Sequence, residues 1–145
     1  MMKLRQMDLD ADYPMIAGWC TARGKTAPAK GIFPPIGVIV EVDGEPVVTG
    51  SMYLAAGMKL AFVTWVITNP TFKAGRVVRE AVAHLLRCLE ADAATMERTF
   101  LLSFVPDGSG LQHAYEHAGW GVAVGGAHVP MCKSAAVEVP SWSRS

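Results

Sequence analysis

Residues 60–68 read Leu-Ala-Phe-Val-Thr-Trp-Val-Ile-Thr. A nearly continuous apolar run, rich in β-branched and aromatic side chains, is the pattern of a strand covered on both faces. Asn69-Pro70 ends it, since proline lacks a ladder donor and restricts the residue before it. Residues 76–94 then place Val78, Ala81, Val82, Leu85, Leu86 and Leu89 on one helical stripe, with Arg79, Glu80, Ala83, Arg87 and Glu90 off it. Residues 99–105, Thr-Phe-Leu-Leu-Ser-Phe-Val, form a second buried strand. Strand, long helix and strand in this order bring the second strand back parallel to the first. That crossover excludes all-α and purely antiparallel folds.

The rest of the chain is read around this unit. Residues 3–7 alternate as a first strand. Residues 9–23 form a helix, with Asp10 or Asp12 as its cap and Met15, Ile16, Trp19 and Cys20 at helical spacing, ending at Gly24. Residues 24–35 mix glycine, proline and lysine without periodicity, the composition of a surface loop that serves as a lid or binding loop. Residues 36–42 and 46–54 flank Asp43-Gly44-Glu45, a hairpin signal. Residues 110–118 form a short helix that stops at Gly119, and residues 121–124 and 128–132 pair around Gly125-Gly126. Residues 134–145 carry serines and no apolar pattern, so they are expected to be a loose tail to a domain of residues 1–133. The expected fold is α/β, a mixed and mostly antiparallel central sheet with one parallel β-α-β crossover and helices on both faces.

Composition narrows the partners. At 145 residues one domain with a real core is expected, and 18% charged against 51% hydrophobic residues excludes disorder. The formal net charge is zero, which argues against electrostatic capture of nucleic acid. Arg76, Arg79 and Arg87 read as one solvated helix face. No run approaches the ~18 apolar residues of a membrane span, and the first seven residues lack the apolar core of a secretion signal. Cys20, Cys88 and Cys132, odd in number and in apolar surroundings, read as reduced thiols of a cytoplasmic protein. Sheet edges that need cover leave room for a homodimer.

Tyr115-Glu116-His117-Ala118-Gly119-Trp120 follows the second buried strand. Together with Asn69-Pro70 and the element order, it resembles the Tyr-Glu-x-x-Gly-Phe segment of the GNAT superfamily of N-acetyltransferases, with Trp for Phe. The resemblance covers residues 1–132. It implies an acyl-CoA site in which the backbone of Val66, Ile67 and Thr68 receives the pantetheine arm of acetyl-CoA as a false strand. Lys73, Ala74, Gly75 and Arg76, at the start of the long helix, would hold the pyrophosphate. The phosphate loop departs from the family pattern: anchored on Lys73, the usual glycine positions carry Arg76 and Val78, and only Gly75 is present, one place off. The implied chemistry is direct attack of an amine on the thioester, with a backbone N–H near Ile67 polarising the carbonyl and Tyr115 protonating the departing thiolate. A Tyr115 that merely covers a helix–sheet seam is the structural alternative.

Other readings stand beside this one. A non-catalytic GNAT-like binding protein with a degenerate CoA site would keep the same pattern. His113-Ala-Tyr-Glu-His117 has the spacing of an inverted zinc motif, but the only later acid is Glu138, in the expected tail, so no metal is expected. No carboxylate on the central strand offers itself as a base. Trp19 and Phe33 are candidates to line the pocket of a small-molecule or peptide amine acceptor. Core packing is their alternative role.

Overall fold

The computed structural model describes residues 1–106, 108–122 and 128–134. In chain order the elements are β1 (Met2–Gln6), α1 (Leu9–Ala22), a single 3-10 turn (Lys30–Ile32), β2 (Ile36–Val42) and β3 (Glu45–Leu54). They continue with β4 (Leu60–Thr68), α2 (Gly75–Thr95), β5 (Phe100–Pro106), α3 (Gly110–His117), β6 (Gly121–Val122) and β7 (His128–Ser134). They build one seven-stranded sheet ordered β1-β2-β3-β4-β5-β7-β6. Among the described residues only β4 and β5 pair in parallel, as the crossover through α2 demands. The mixed α/β sheet expected from the sequence is the one observed.

The sheet buries a different cluster on each face. On one side Val38, Val40, Val48, Met52, Ala61 and Val63 pack against the Leu85, Leu86 and Leu89 stripe of α2 and against Tyr115 of α3. Ile39 alternates to the other side, where Ile16, Trp19 and Cys20 of α1 are also buried outside that cluster. The β2–β3 hairpin turns on Asp43 and Gly44, at φ 50° and 84°, which is why Asp-Gly marks the site in the sequence. Met96 caps the C-terminus of α2.

Two expectations are corrected. Asp8, not Asp10 or Asp12, caps α1, accepting from the Ala11 N–H at 3.4 Å. Asp12 points inward to the Arg5 guanidinium at 2.9 Å and accepts from the Asp8 N–H. Arg5 therefore holds the Asp12 carboxyl below the usual carboxylate range. The last ladder also runs further than expected, because Ser134 pairs with Phe100. The Gly125-Gly126 turn and the tail beyond Ser134 lie outside the described residues.

The decisive local irregularity sits in β4. Thr49 pairs with Ile67 and Ser51 with Thr64, so Gly50 faces two residues, Trp65 and Val66. Trp65 takes φ 53°, a left-handed value rare for a bulky side chain. This β-bulge shifts the alternation by one residue. Before it, Ala61 and Val63 face the core. After it, Val66 packs over Gly50, whose missing Cβ would stand 2.7 Å from Leu85 Cδ2 and 3.3 Å from Val66 Cγ2.

Candidate functional site

The parallel ladder between β4 and β5 is short. Leu60, Ala61 and Phe62 pair with Phe100, Leu101 and Leu102, and there the pairing ends. Both strands continue, to Thr68 and Pro106, without further register partners in each other. They therefore diverge into a wedge that opens toward Asn69. Ser103 stands at its apex. It is 2% exposed, and its hydroxyl donates to the Val63 carbonyl at 2.8 Å, spanning the first gap left by the backbone ladder.

Tyr115 of α3 reaches the same apex. Its hydroxyl lies 2.9 Å from Ser103 Oγ. A serine hydroxyl carries one proton, and here the Val63 carbonyl takes it. Tyr115 is therefore the donor to Ser103. The ring is fully buried and meets Trp120 edge-on at 5.1 Å between centroids. Burial pushes the phenol well above its usual value, while the bond to Ser103 opposes the shift, so the group holds its proton throughout the neutral range.

The wedge is part of a cleft of about 1210 Å³. Val66, Ile67 and Thr68 form its β4 wall; Lys73, Gly75 and Arg76 lie at its mouth, and Ser103 and Tyr115 at its closed end. These expected site residues are thus brought together. Ala74 is not among the lining residues; it occupies the N-cap position of α2. No side chain caps that helix, and its first turn holds no acid, so its leading N–H groups and positive dipole end face the mouth uncompensated.

Charge in the cleft is one-sided. Arg23, Lys25, Lys73, Arg76 and Arg79 line it, and no Asp or Glu does among the described residues, in a chain with thirteen of each sign. Arg76 and Arg79 were both read from the sequence as part of a solvated face, and only Arg76 also as a phosphate residue; both are exposed, but they also line the cleft. Arg23 was missed as well. Its guanidinium donates to the Thr68 carbonyl and, at 2.7 Å, to Thr68 Oγ1. Only the end of α1 meeting the end of β4 brings them together, which no local pattern reports.

Trp19 and Phe33 fall outside the lining. Both are buried. Phe33 meets Trp65 at 5.8 Å and Tyr13 at 6.1 Å between ring centroids, so it buttresses a wall residue from behind. Cys20 is buried, Cys88 is half-buried, and both are free thiols. His113 lines the cleft, with His117 exposed and Glu138 outside the described residues. No group of three His, Cys, Asp or Glu among the described residues is placed to hold a metal ion, and no described helix is long and apolar enough to cross a membrane.

No protein-family model matches the chain, and no curated protein matches it by sequence. Solved structures match it by shape. The ribosomal-protein-S18-alanine N-acetyltransferase of Escherichia coli superposes with a TM-score of 0.69 at 13% identity, over 97% of this chain and 98% of that one. The N-acetylglutamate synthase of Neisseria gonorrhoeae, solved with coenzyme A and N-acetyl-glutamate, gives 0.70 at 13% identity, over 94% of this chain and 36% of that longer one. An aminoglycoside N-acetyltransferase gives 0.63 at 16% identity, over 92% and 96%. At such identities the likeness is one of fold.

Proposed function

We propose that this chain, whose fold is that of the GNAT N-acetyltransferases, transfers an acyl group, acetyl in the simplest case, from acyl-CoA to an amine. The observation that carries the reading is the parallel ladder that stops after Phe62 and Leu102 and leaves a wedge between two strands. A closed sheet would have no reason to forgo those pairings. The open edge of β4 offers backbone groups to an extended amide-bearing chain such as pantetheine. The cationic mouth and the uncapped start of α2 suit the phosphates at the other end of the same molecule.

In this reading the amine nitrogen attacks the thioester carbonyl and the oxygen takes up charge beside the β4 backbone near Ile67. The C–S bond then breaks and the thiolate takes the phenolic proton of Tyr115. Ser103 can turn its own hydroxyl proton from Val63 to the phenolate so formed, a stabilisation available because it touches both groups. The surplus proton of the new amide nitrogen returns to solvent and then to Tyr115, so thioester and amine leave as amide and thiol. Among the described residues no carboxylate lines the cleft to act as base. An apolar cleft with cationic walls favours the uncharged amine, the form that attacks.

A second reading keeps the cleft as a CoA site without turnover. Arg76 and Val78, at positions where a glycine would let phosphate approach the backbone, favour it, as does the Arg23 clasp on the Thr68 carbonyl. Calorimetric titration with acetyl-CoA, followed by thiol release with amines, separates the two. The acyltransfer reading expects saturable binding, weakened by Arg76→Glu, and thiol release that falls about 10²–10⁴-fold in Tyr115→Phe. Binding without amine-dependent thiol release supports the second reading. No binding removes both.

A further inference from the structure

Resting on the acyltransfer reading, we infer that the acceptor is a small primary amine with an aromatic or bulky apolar body, and that polycationic amines are excluded. Alternation along β5 buries Leu101, Ser103 and Val105 and turns Phe104 outward, 61% exposed. On β4, Ala61 and Val63 face the α2 core, so Phe62 lies on the opposite face. Its register partners on either side are Tyr53 and Leu102. Phe62, Tyr53 and Phe104 all line the cleft. The Tyr53 hydroxyl donates to the Ile32 carbonyl, which pins that ring beneath the 3-10 turn after α1.

This aromatic floor lies across the sheet from α2, whose start carries Gly75 and Arg76 of the phosphate end, with Lys73 just before it. It is therefore the side on which an amine meets the thioester. At about 1210 Å³ the cleft exceeds the ~300–1,000 Å³ usual for one small ligand, so it has room for a second substrate beside the carrier. Three aromatic residues, Tyr53, Phe62 and Phe104, lining one cleft give it apolar surface that a ligand can cover, and rings gain by meeting rings edge-on or offset. The charged residues that line the cleft from the end of α1 and the loop after it, Arg23 and Lys25, are cations. A polyamine or aminoglycoside would bring several positive charges to walls of the same sign, with no described carboxylate to receive them.

The test measures thiol release from acetyl-CoA with 2-phenylethylamine, spermidine and kanamycin as acceptors, with acetyl-CoA binding measured separately by calorimetry. Expected is a kcat/KM for phenylethylamine above that for either polycation by about tenfold or more. Phe104→Ala should raise the KM for phenylethylamine by about tenfold, Phe104→Tyr should retain it, and the dissociation constant of acetyl-CoA should not move. Phe104 is exposed, so its truncation leaves the core intact. Preference for spermidine or kanamycin, no transfer to the ring amine, or indifference of its KM to Phe104→Ala overturns the inference while the acyl-CoA reading stands if acetyl-CoA binds. Absence of acetyl-CoA binding brings down both.

Discussion

Removing one hydrogen-bonding group from the wedge apex should damage the protein, and removing a second should repair part of the damage. Ser103→Ala deletes the donor to Val63 O and the acceptor of Tyr115 O–H together. Both orphaned groups belong to buried residues: Val63 is 2% exposed and Tyr115 0%. A buried polar group left without a partner costs about 1–3 kcal/mol, so Ser103→Ala should lose roughly 2–6 kcal/mol. Tyr115→Phe differs in kind. Ser103 keeps its bond to Val63 and loses only a neighbour it was accepting from, a cost of about 0.5–1.5 kcal/mol. In the double variant the phenol is gone, so only the Val63 carbonyl is orphaned, at about 1–3 kcal/mol. Ser103→Ala/Tyr115→Phe should therefore be more stable than Ser103→Ala alone. Urea unfolding of the wild type and the three variants gives the cycle directly. If Tyr115→Phe further destabilises the Ser103→Ala background, or if the single effects add, the Ser103–Tyr115 hydrogen bond does not contribute to stability as deduced.

Two more perturbations probe the frame around the site. Lys133 pairs with the buried Glu90 at 2.6 Å and donates to the Ala118 carbonyl that ends α3; Lys133→Met should cost about 3–5 kcal/mol by leaving Glu90 buried and unpaired, and adding Glu90→Leu should recover most of it, read by urea unfolding at pH 7. Asp12→Asn should cost about 1–3 kcal/mol at neutral pH through loss of the Arg5 fork. Because Arg5 depresses the native carboxyl, the wild type's advantage is complete above the unfolded value near pH ~3.9 and is lost as pH falls through the lower native value. Stability curves of Asp12→Asn and wild type should converge on acidification; curves that stay parallel down to the acid transition would show that Asp12 contributes nothing through its charge.

The order of elements was legible because each carries its own local signal. Leu60–Thr68 is a continuous apolar run, Gly75–Thr95 an amphipathic period, and Asp43-Gly44 a turn dipeptide. The Asp8 cap was missed because Asp10 and Asp12 offered equal chemistry two and four residues on, and only the place of Arg5 in space distinguishes them. Of the residues that line the candidate cleft, the β4 segment, Lys73 and Arg76 were named from the sequence, while Arg23, Lys25 and Arg79 were not assigned to it. Arg76 and Arg79 look like any exposed helix face until the neighbouring strand splays away and turns that face into a wall. Phe104 alternates like any sheet residue, and nothing local says that its outward side opens on the cleft.

The bulge at Trp65 was illegible for a deeper reason, and it bears on which functional reading to prefer. In an apolar run such as Thr64-Trp65-Val66-Ile67, moving one residue across the alternation changes no hydrophobic pattern, so periodicity is blind to it. The left-handed Trp65 costs on the order of 1–3 kcal/mol, and the open wedge forgoes ladder bonds worth about 0.5–1.5 kcal/mol each. Gly50 adds its own weakness to β3, since glycine loses more chain freedom than any residue it could be exchanged for. A packing-only sheet would relax all three, because zipping β4 to β5 past Phe62 needs no bulge and no glycine beneath Leu85. What keeps the strands apart is built in: Ser103 closes the apex, the bulge re-aims β4, and Gly50 admits Leu85 and Val66 over the bend. Three costly features that converge on one opening are better explained by a ligand that enters it than by packing alone. The charge of that opening and the amide-hungry edge of β4 favour a carrier with phosphates at one end and peptide-like groups along its arm.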